Sequence, residues 1–353
     1  MRVTLCLLLC CLLLGGCNSV TEPDMTQASP ESESLAQEAG TVYLTIATAA
    51  DYRNAPSGQL FQEAIDRLAE ESEGRFDIAF YQNGVMGNDE QLFQAVQRGT
   101  VSVVMMSPTS QAAQIPETML LEIPRLFPDS DSYHNFLIQE GVDFLAPLYE
   151  KNGLVLLGIS INDYRHLTSS VPIESIENLQ GLKIRIQDNV CHQVFWESLG
   201  AKPVTVSFNE LYMALYNGSV DAQENPYGVI SAKRFYEVQQ YVVETGHLPN
   251  LYTYVMNQEQ YEAMPAAAQE ELREMLRRYV QDINGETSVV MEEVRKSLTE
   301  EYGMEIIFLN EEWEAGMQTG KQAVVDYLKT QLGAEAVDQY LSLVEVYQKG
   351  VSN

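Results

Sequence analysis

Val42, Leu44 and Ile46 alternate with Tyr43, Thr45 and Ala47, the two-residue period of a half-buried strand. The period then lengthens. From Gly58 to Glu73, Leu60, Phe61, Ala64, Ile65 and Leu68 fall on one face, which predicts an amphipathic helix stopped by Gly74. Alternation returns over Phe76–Tyr81, through Phe76, Ile78 and Phe80. A helix follows over Asn88–Arg98, ended by Gly99, and Val101–Met106 is a fully apolar strand. Strand, helix, strand, helix, strand predicts right-handed crossovers and a mostly parallel α/β sheet.

The pattern recurs further on. Leu154–Ile159 has the apolar run of a buried strand, and Lys183–Ile186 is a short one. Val190–Leu199 is helical up to Gly200, Phe208–Tyr216 is helical up to Asn217-Gly218, and Val220-Asp221-Ala222 enters another strand. These predict a second α/β lobe. Beyond Gln258 the character changes. Pro265 suits the first turn of a helix. Leu272, Met275, Leu276, Tyr279, Val280 and Ile283 then follow steps of three and four. Thr287, Val290, Met291, Val294 and Leu298 continue the stripe past Gly285. About 35 residues at 1.5 Å each predict a helix of ~50 Å, long enough to underlie both lobes. Trp313–Tyr347 is a last amphipathic region.

The amino-terminal end has a different pattern. Arg2 precedes an unbroken run of Leu and Cys from Leu5 to Leu14. At about ten residues the run is too short to span a ~30 Å hydrocarbon core, so it suits a signal peptide rather than a membrane helix. It ends at Leu14-Gly15-Gly16-Cys17, which resembles the bacterial lipobox, in which the Cys sulfur is lipidated before cleavage. Asn18–Gly40 is rich in Ser, Thr, Glu, Gln and Pro, and carries too little apolar surface to offset chain entropy. A flexible tether is the expectation there. Four of the five cysteines lie in the signal, so Cys191 has no partner for an internal disulfide and is expected to be a small buried hydrophobe.

Charge narrows the function. Asp and Glu number 50 against 21 Lys and Arg, which excludes a nucleic-acid footprint. An anion can be held only by a few local cations aimed into a cleft. No nucleophile elbow, zinc pattern or phosphate loop occurs, and His134, His166, His192 and His247 are scattered along the chain. No cofactor is implied, and an enzyme of the same fold class would need an acid–base pair that the pattern does not offer. Two arginines stand out. Arg165 follows a strand, in Asn162-Asp163-Tyr164-Arg165-His166. Arg185 alternates with Ile184 and Ile186, so it faces either solvent or a cleft. In a cleft, its planar fork suits a carboxylate.

Leu179-Gln180-Gly181-Leu182-Lys183-Ile184-Arg185 resembles the signature of the solute-binding subunits of tripartite ATP-independent periplasmic (TRAP) transporters. The resemblance continues in order through Gly200-Ala201-Lys202-Pro203, Ser207-Phe208-Asn209-Glu210-Leu211-Tyr212, Val220-Asp221-Ala222-Gln223-Glu224-Asn225-Pro226 and Phe235-Tyr236-Glu237-Val238-Gln239. Upstream, Gly84-Val85-Met86-Gly87-Asn88 and Gly99-Thr100-Val101 also match, so that it spans about Val42 to Leu343. It implies that Arg185 is the main carboxylate-binding residue and Arg165 the second arginine of the cleft. Asn225 would bond the same carboxylate, Phe208 would pack on the ligand, and His247 would lie at the far end of the pocket. Asp188 would also touch the ligand, with Asp51, Asn88 and Ser107 supplying selectivity from the first lobe. Two departures are visible. Gln187 stands where the family usually has Pro. Ser107 stands near where its sialic-acid binders carry an acid, which argues against that ligand.

The expectation is therefore a two-lobed, periplasmic-binding-protein-like α/β fold with a hinge and a long helix spanning both lobes. Residues 1–16 form a lipoprotein signal peptide and 17–40 a tether. Residues 41–162 with 251–290 form lobe I, and 163–250 with 291–345 form lobe II. The chain would capture a small carboxylate, a sugar acid such as a hexuronate or a di- or keto-carboxylate, outside the cell. It would sit on the membrane through lipidated Cys17 and deliver its ligand to TRAP permease subunits. The alternative is the binding subunit of a sensory system with the same pocket.

Overall fold

The computed structural model describes residues 40–50 and 56–351. The signal, the tether, Cys17 and Asp51 lie outside the described residues. In chain order the first elements are β1 (Val42–Ala47), α1 (Pro56–Glu71), β2 (Phe76–Tyr81), α2 (Asp89–Gln97) and β3 (Val103–Met106). Next come α3 (Ser130–Phe136), α4 (Val142–Glu150), β4 (Leu154–Ser169), β5 (Lys183–Ile186), α5 (Val190–Ser198) and β6 (Lys202–Thr205). Then follow α6 (Leu211–Tyr216), β7 (Ala222–Pro226), α7 (Tyr227–Ala232), β8 (Tyr241–Asn257) and α8 (Gln258–Ala263). The chain ends with α9 (Ala266–Glu300), β9 (Glu305–Ile307), α10 (Glu311–Leu332) and α11 (Ala334–Val351).

The strands form one sheet in the order β2-β1-β3-β8-β4-β7-β5-β6, with β9 added beside β8. The parallel pairing expected from the sequence holds within two blocks, β2-β1-β3 and β7-β5-β6. The blocks are joined by something the hydrophobic pattern did not announce. β4 and β8, 16 and 17 residues long, run antiparallel to each other through both halves. β4 is far longer than the Leu154–Ile159 run that the sequence predicts. β8 escapes prediction because Gly246 and Pro249 sit inside it, and both ordinarily argue against a strand. The ladder tolerates them because it is already irregular there. The β4–β8 register shifts between Ile161 and Tyr164 and again between Arg165 and Leu167, and Pro249 pairs with Tyr164 at that break. Such bulges bend the strand and raise its twist, so both crossing strands turn where one block gives way to the other.

The long helix behaves as its stripe predicts. Leu272, Leu276, Tyr279, Val280 and Ile283 of α9 are buried against Phe61 and Ile65 of α1 and against Tyr254. Leu298, in the second half of the same helix, is buried with Leu211, Tyr227, Ile230 and Phe235. One helix thus backs both blocks. The terminal amphipathic region is two helices, because Gly333 takes φ +87, a conformation that a side chain disfavours. α10 lies on α5 at very close range. A Cβ on Gly320 would fall 2.5 Å from the Phe195 ring, and one on Gly316 would fall 2.6 Å from Ile176. α11 packs back on the segment before β4, where Tyr340 and Tyr347 meet Phe136 edge-on.

Gly320→Ala separates two effects. Alanine improves helix propensity by about 1 kcal/mol, whereas overpacking a filled interface costs about 1–3 kcal/mol. The expected result is a net loss of stability in urea unfolding. A variant as stable as the wild type would show that Phe195 yields freely.

Candidate functional site

Arg185 stands on β5 with 4% of its surface exposed. Its Nε donates to the carbonyl of Val206 at 2.9 Å. Its Nη1 is buried and has no hydrogen-bond partner, and among the described residues it forms no ion pair. Its guanidinium lies 5.9 Å from the Phe208 ring centroid. Burial pulls its pKa down to about 10, with nearby Glu224 opposing and Arg165 reinforcing that shift. An orphaned guanidinium N–H in a dry setting costs free energy unless an acceptor arrives.

Arg165, on β4 beside the register break, is 2% exposed and differently placed. Its Nε and Nη2 grip the carboxylate of Glu224, which is on β7. The same Nη2 donates to the Glu224 carbonyl at 2.7 Å and to Asn225 Oδ1 at 3.2 Å. Its charge is therefore already matched. Burial alone would raise the Glu224 carboxyl, but Arg165 and the two histidines beside it outweigh burial and hold it well below its usual range.

Those histidines are His192 and His247, far apart in sequence and brought to the same carboxylate. His247 Nε2 lies 3.2 Å and His192 Nδ1 3.6 Å from Glu224. His192 Nε2 meets Glu122 at 3.2 Å. Glu122 ends the helical turn Pro116–Glu122, which follows β3, and accepts from Thr109 Oγ1 at 2.5 Å. Thr109 in turn accepts from Asn189 Nδ2 at 3.3 Å. Asn189 caps α5 four residues after Arg185, its Oδ1 accepting from the Cys191 N–H at 2.7 Å. The network joins the two blocks: Thr109 and Glu122 follow β3, whereas Asn189 caps α5, His192 is in α5 and Glu224 is in β7.

The two histidines titrate in opposite directions. Burial opposes the charge on His192, but Glu122 and Glu224 override it and raise its pKa to about 9. For His247 burial wins over Glu224, and its pKa is lowered. His247 is wholly buried, with its ring stacked 5.4 Å from Phe195 and Nδ1 2.8 Å from Thr245 Oγ1. It sits behind Glu224 as part of the wall.

The remaining sequence candidates are scattered. Asn225 is buried, shared between Arg165 and Gln223. Phe208 is 40% exposed, with Lys233 Nζ 5.2 Å and the Arg185 guanidinium 5.9 Å from its centroid, so the ring has two cations in reach. Asp188 is exposed. Asn88 caps α2 in a reciprocal pair with Gln91. Ser107 Oγ accepts from the Thr109 N–H at 3.3 Å. Asn88 and Ser107 therefore have local capping duties. Cys191 is buried and free, and burial pushes its thiol upward, which makes it a poor nucleophile. Among the described residues no group of His, Cys, Asp and Glu could hold a metal ion.

Sequence reasoning missed Glu122, Glu224 and His192 as members of the site. Glu224 had one signal: a carboxylate between Gln223 and Asn225 in a strand that pairs with the Arg165 strand. Glu122 had none. A groove of about 470 Å³ between α1 and α9 lies elsewhere and is lined by six carboxylates against Arg67 and Arg278, which does not suit an anion.

The family model for bacterial extracellular solute-binding protein, family 7, matches residues 48–331. The chain belongs to that family. Curated relatives include a solute-binding protein of Verminephrobacter eiseniae, 31% identical over 59% of this chain and 63% of the relative. Another is the 2,3-diketo-L-gulonate-binding periplasmic protein YiaO of Escherichia coli, 29% identical over 59% and 63%. The match thus spans somewhat less than two thirds of the length of these relatives. The fold is that of a TRAP periplasmic solute-binding protein from Desulfovibrio salexigens with bound orotic acid. The TM-score is 0.80 at 20% identity, covering 87% of this chain and 100% of that one. A Haemophilus influenzae protein with bound L-gulonate superposes with a TM-score of 0.79 at 20% identity, over 87% and 100%. The family 7 description is one of solute binding.

The opposed histidine shifts contribute to the pH profile of the apo protein, beside buried Asp163, whose carboxyl burial pushes up to about 7, and His166, which burial pulls down to about 4. His192 is raised from about 6.5 in an unfolded chain to about 9, so its contribution is complete below pH 6.5 and lost as pH rises through 9. The loss should reach about 3 kcal/mol. His247, with a depressed value, acts oppositely and costs stability as pH falls below ~6.5. Urea unfolding at pH 6.5 and 9 should show the alkaline loss in the wild type and a flattened profile in His192→Asn. An equally steep profile in that variant would refute the assignment.

Proposed function

We propose that the protein is an extracytoplasmic solute-binding lipoprotein that captures a small organic carboxylate and delivers it to a TRAP-type secondary transporter. One observation carries the ligand class. Arg185 offers a buried, unpartnered Nη1 and, among the described residues, forms no ion pair, while Arg165 and His192 behind it are paired with carboxylates. A carboxylate is the planar acceptor that suits such a fork. The names and bound ligands of the relatives point the same way, since diketogulonate, gulonate and orotate all carry a carboxylate. A C4-dicarboxylate-binding periplasmic protein of Rhodobacter capsulatus, 24% identical over 77% of this chain, extends that range. Sugar acids such as hexuronates and di- or keto-carboxylates are the ligands we assign to this site.

In this reading Arg185 binds the carboxylate, and Asn225, oriented by Arg165, stands beside it. Phe208 covers the ligand at the rim, with Asp188 nearby. His247 supports the far wall through Glu224. Asp51, Asn88 and Ser107 contribute from the first lobe. Lobe I is 41–162 with 251–290 and lobe II is 163–250 with 291–345, although α11 packs back on Phe136. The hinge is the pair of register breaks in β4 and β8, and closure about it would present the loaded form to the permease. No catalytic step is assigned.

Two experiments test this. Charge-assisted hydrogen bonds contribute about 1.5–3 kcal/mol each, so losing two should weaken carboxylate binding about 100-fold or more. Titration calorimetry of Arg185→Ala with sugar acids and dicarboxylates should show that loss while the apo melting temperature hardly moves. Wild-type affinity in the variant would place the site elsewhere. Among the described residues no helix is long and apolar enough to cross a membrane. The attachment we propose is the lipid on Cys17. Cys17→Ser should release the protein from the membrane fraction of expressing cells, and retention there would eliminate the lipid anchor.

A further inference from the structure

Gly246 separates Thr245 from His247 on β8 and takes φ +47, a shape open to glycine because it has no side chain. The same freedom leaves the chain loose there unless something fixes the residues on either side. Arg125 does so. Its backbone N–H donates to the His247 carbonyl at 2.9 Å, and its Nη1 donates to the Thr245 carbonyl at 3.2 Å. One residue therefore grips the backbone on both sides of Gly246.

Arg125 is itself held in a costly shape. It follows Pro124 in the turn between Glu122 and α3, with φ +48, where a side chain is disfavoured. Its Nη2 lies 3.2 and 3.0 Å from the two carboxylate oxygens of Glu314 on α10, and its carbonyl accepts from Lys321 Nζ at 3.1 Å. Glu314 is half-exposed, so the ion pair contributes little by attraction alone. Its value is geometric. With Glu314 at one end of the planar guanidinium and Thr245 at the other, the fork has one orientation.

From this clamp a chain of contacts leads to the Arg165 pair. Thr245 Oγ1 lies 2.8 Å from His247 Nδ1 and 3.3 Å from the Arg165 carbonyl. With the Thr245 hydroxyl donated to Nδ1, a neutral His247 carries its proton on Nε2, which faces Glu224 at 3.2 Å. Glu224 orients Arg165, and Arg165 holds Asn225 Oδ1 at 3.2 Å.

We infer that Arg125 is a positioning residue: by clamping both sides of Gly246 it keeps His247 Nε2 toward Glu224, and through Glu224 it sets Arg165 and Asn225. This rests on the carboxylate-binding reading of the site and deepens it. Arg125→Gly and Arg125→Asn test it, since both residues accept the positive φ and keep the backbone N–H while removing the guanidinium. The first readout is nitrogen NMR of the histidines in the apo protein. His247 of the wild type should show one tautomer, with the proton on Nε2, and titrate below the ordinary histidine range. In the variants the tautomers should mix and the titration should move up toward about 6.5, although Glu224, His192 and Arg165 still act on the ring. The second readout is calorimetry with L-gulonate and succinate, where an acid that binds the wild type should bind the variants about tenfold more weakly, the scale of one ordinary hydrogen bond. Wild-type histidine signals and affinity in a folded variant, with binding abolished by Arg185→Ala, would overturn the inference and leave the site in place. Should neither acid bind the wild type, or should binding survive Arg185→Ala, the site reading falls, and the His247 tautomer then decides the role of Arg125 without a ligand. If both variants fail to fold, Glu314→Gln, which loosens Nη2 and leaves Arg125 in place, carries the same histidine readout.

Discussion

A guanidinium and a carboxylate taken out of water each lose several kcal/mol of hydration, and their attraction repays this only in good geometry with the remaining donors and acceptors satisfied. Arg165 and Glu224 meet those terms. The side-chain contact is two-pronged, Arg165 also holds the Glu224 carbonyl and Asn225, and both residues lie where β4 and β7 pair. Removing either would leave a buried charge without its partner. Much of the site is organised outward from this pair. Glu224 draws in His192 and His247, His192 reaches Glu122 in the other block, and Arg185, two strands from Arg165, is left as the unpaired buried cation among the described residues.

That balance connects stability to binding. Groups that are matched to one another hold the wall; the group that is not matched, among the described residues, is the one the proposed function gives to the ligand. The same chain of contacts runs back into packing. His247 stacks on Phe195, and Phe195 has its place because Gly316 and Gly320 let α10 approach α5. The Arg165–Glu224 cluster is thus supported from behind by a helix contact with no charge in it. The crossing strands supply the other half of the design. Both bend at register breaks beside Arg165, so the two blocks can share one sheet and still meet across a network that has members in each.

Legibility in the sequence follows the range of the interactions. Strands and helices with a single buried face, such as β1, α1, β2 and α9, declare themselves through period alone, and the α9 stripe holds to the residue. β8 does not, because Gly246 and Pro249 are tolerated only by a ladder already broken by its partner strand. The terminal helices merge in the pattern because both are amphipathic and only Gly333 divides them. For the site, alternation singles out Arg185 without deciding between solvent and cleft, and family resemblance supplies the rest. Asn88 and Ser107 carry the right chemistry but are engaged in caps. Glu122 is invisible, because nothing near it in sequence marks a carboxylate that will be buried against a histidine 70 residues away.

What the sequence determined by itself was local or additive: the acidic balance that leaves an anion to a few cations, two α/β segments, and a helix long enough to back both. What the tertiary structure decided was which cation is left unpaired. Arg165 and Arg185 look equivalent along the chain, each in or beside a strand. Folding brings Glu224 to one and not to the other. Since the worth of a buried charge depends on what stands within a few ångströms of it, and those neighbours come from strands and turns far apart in sequence, that assignment could be made only in three dimensions.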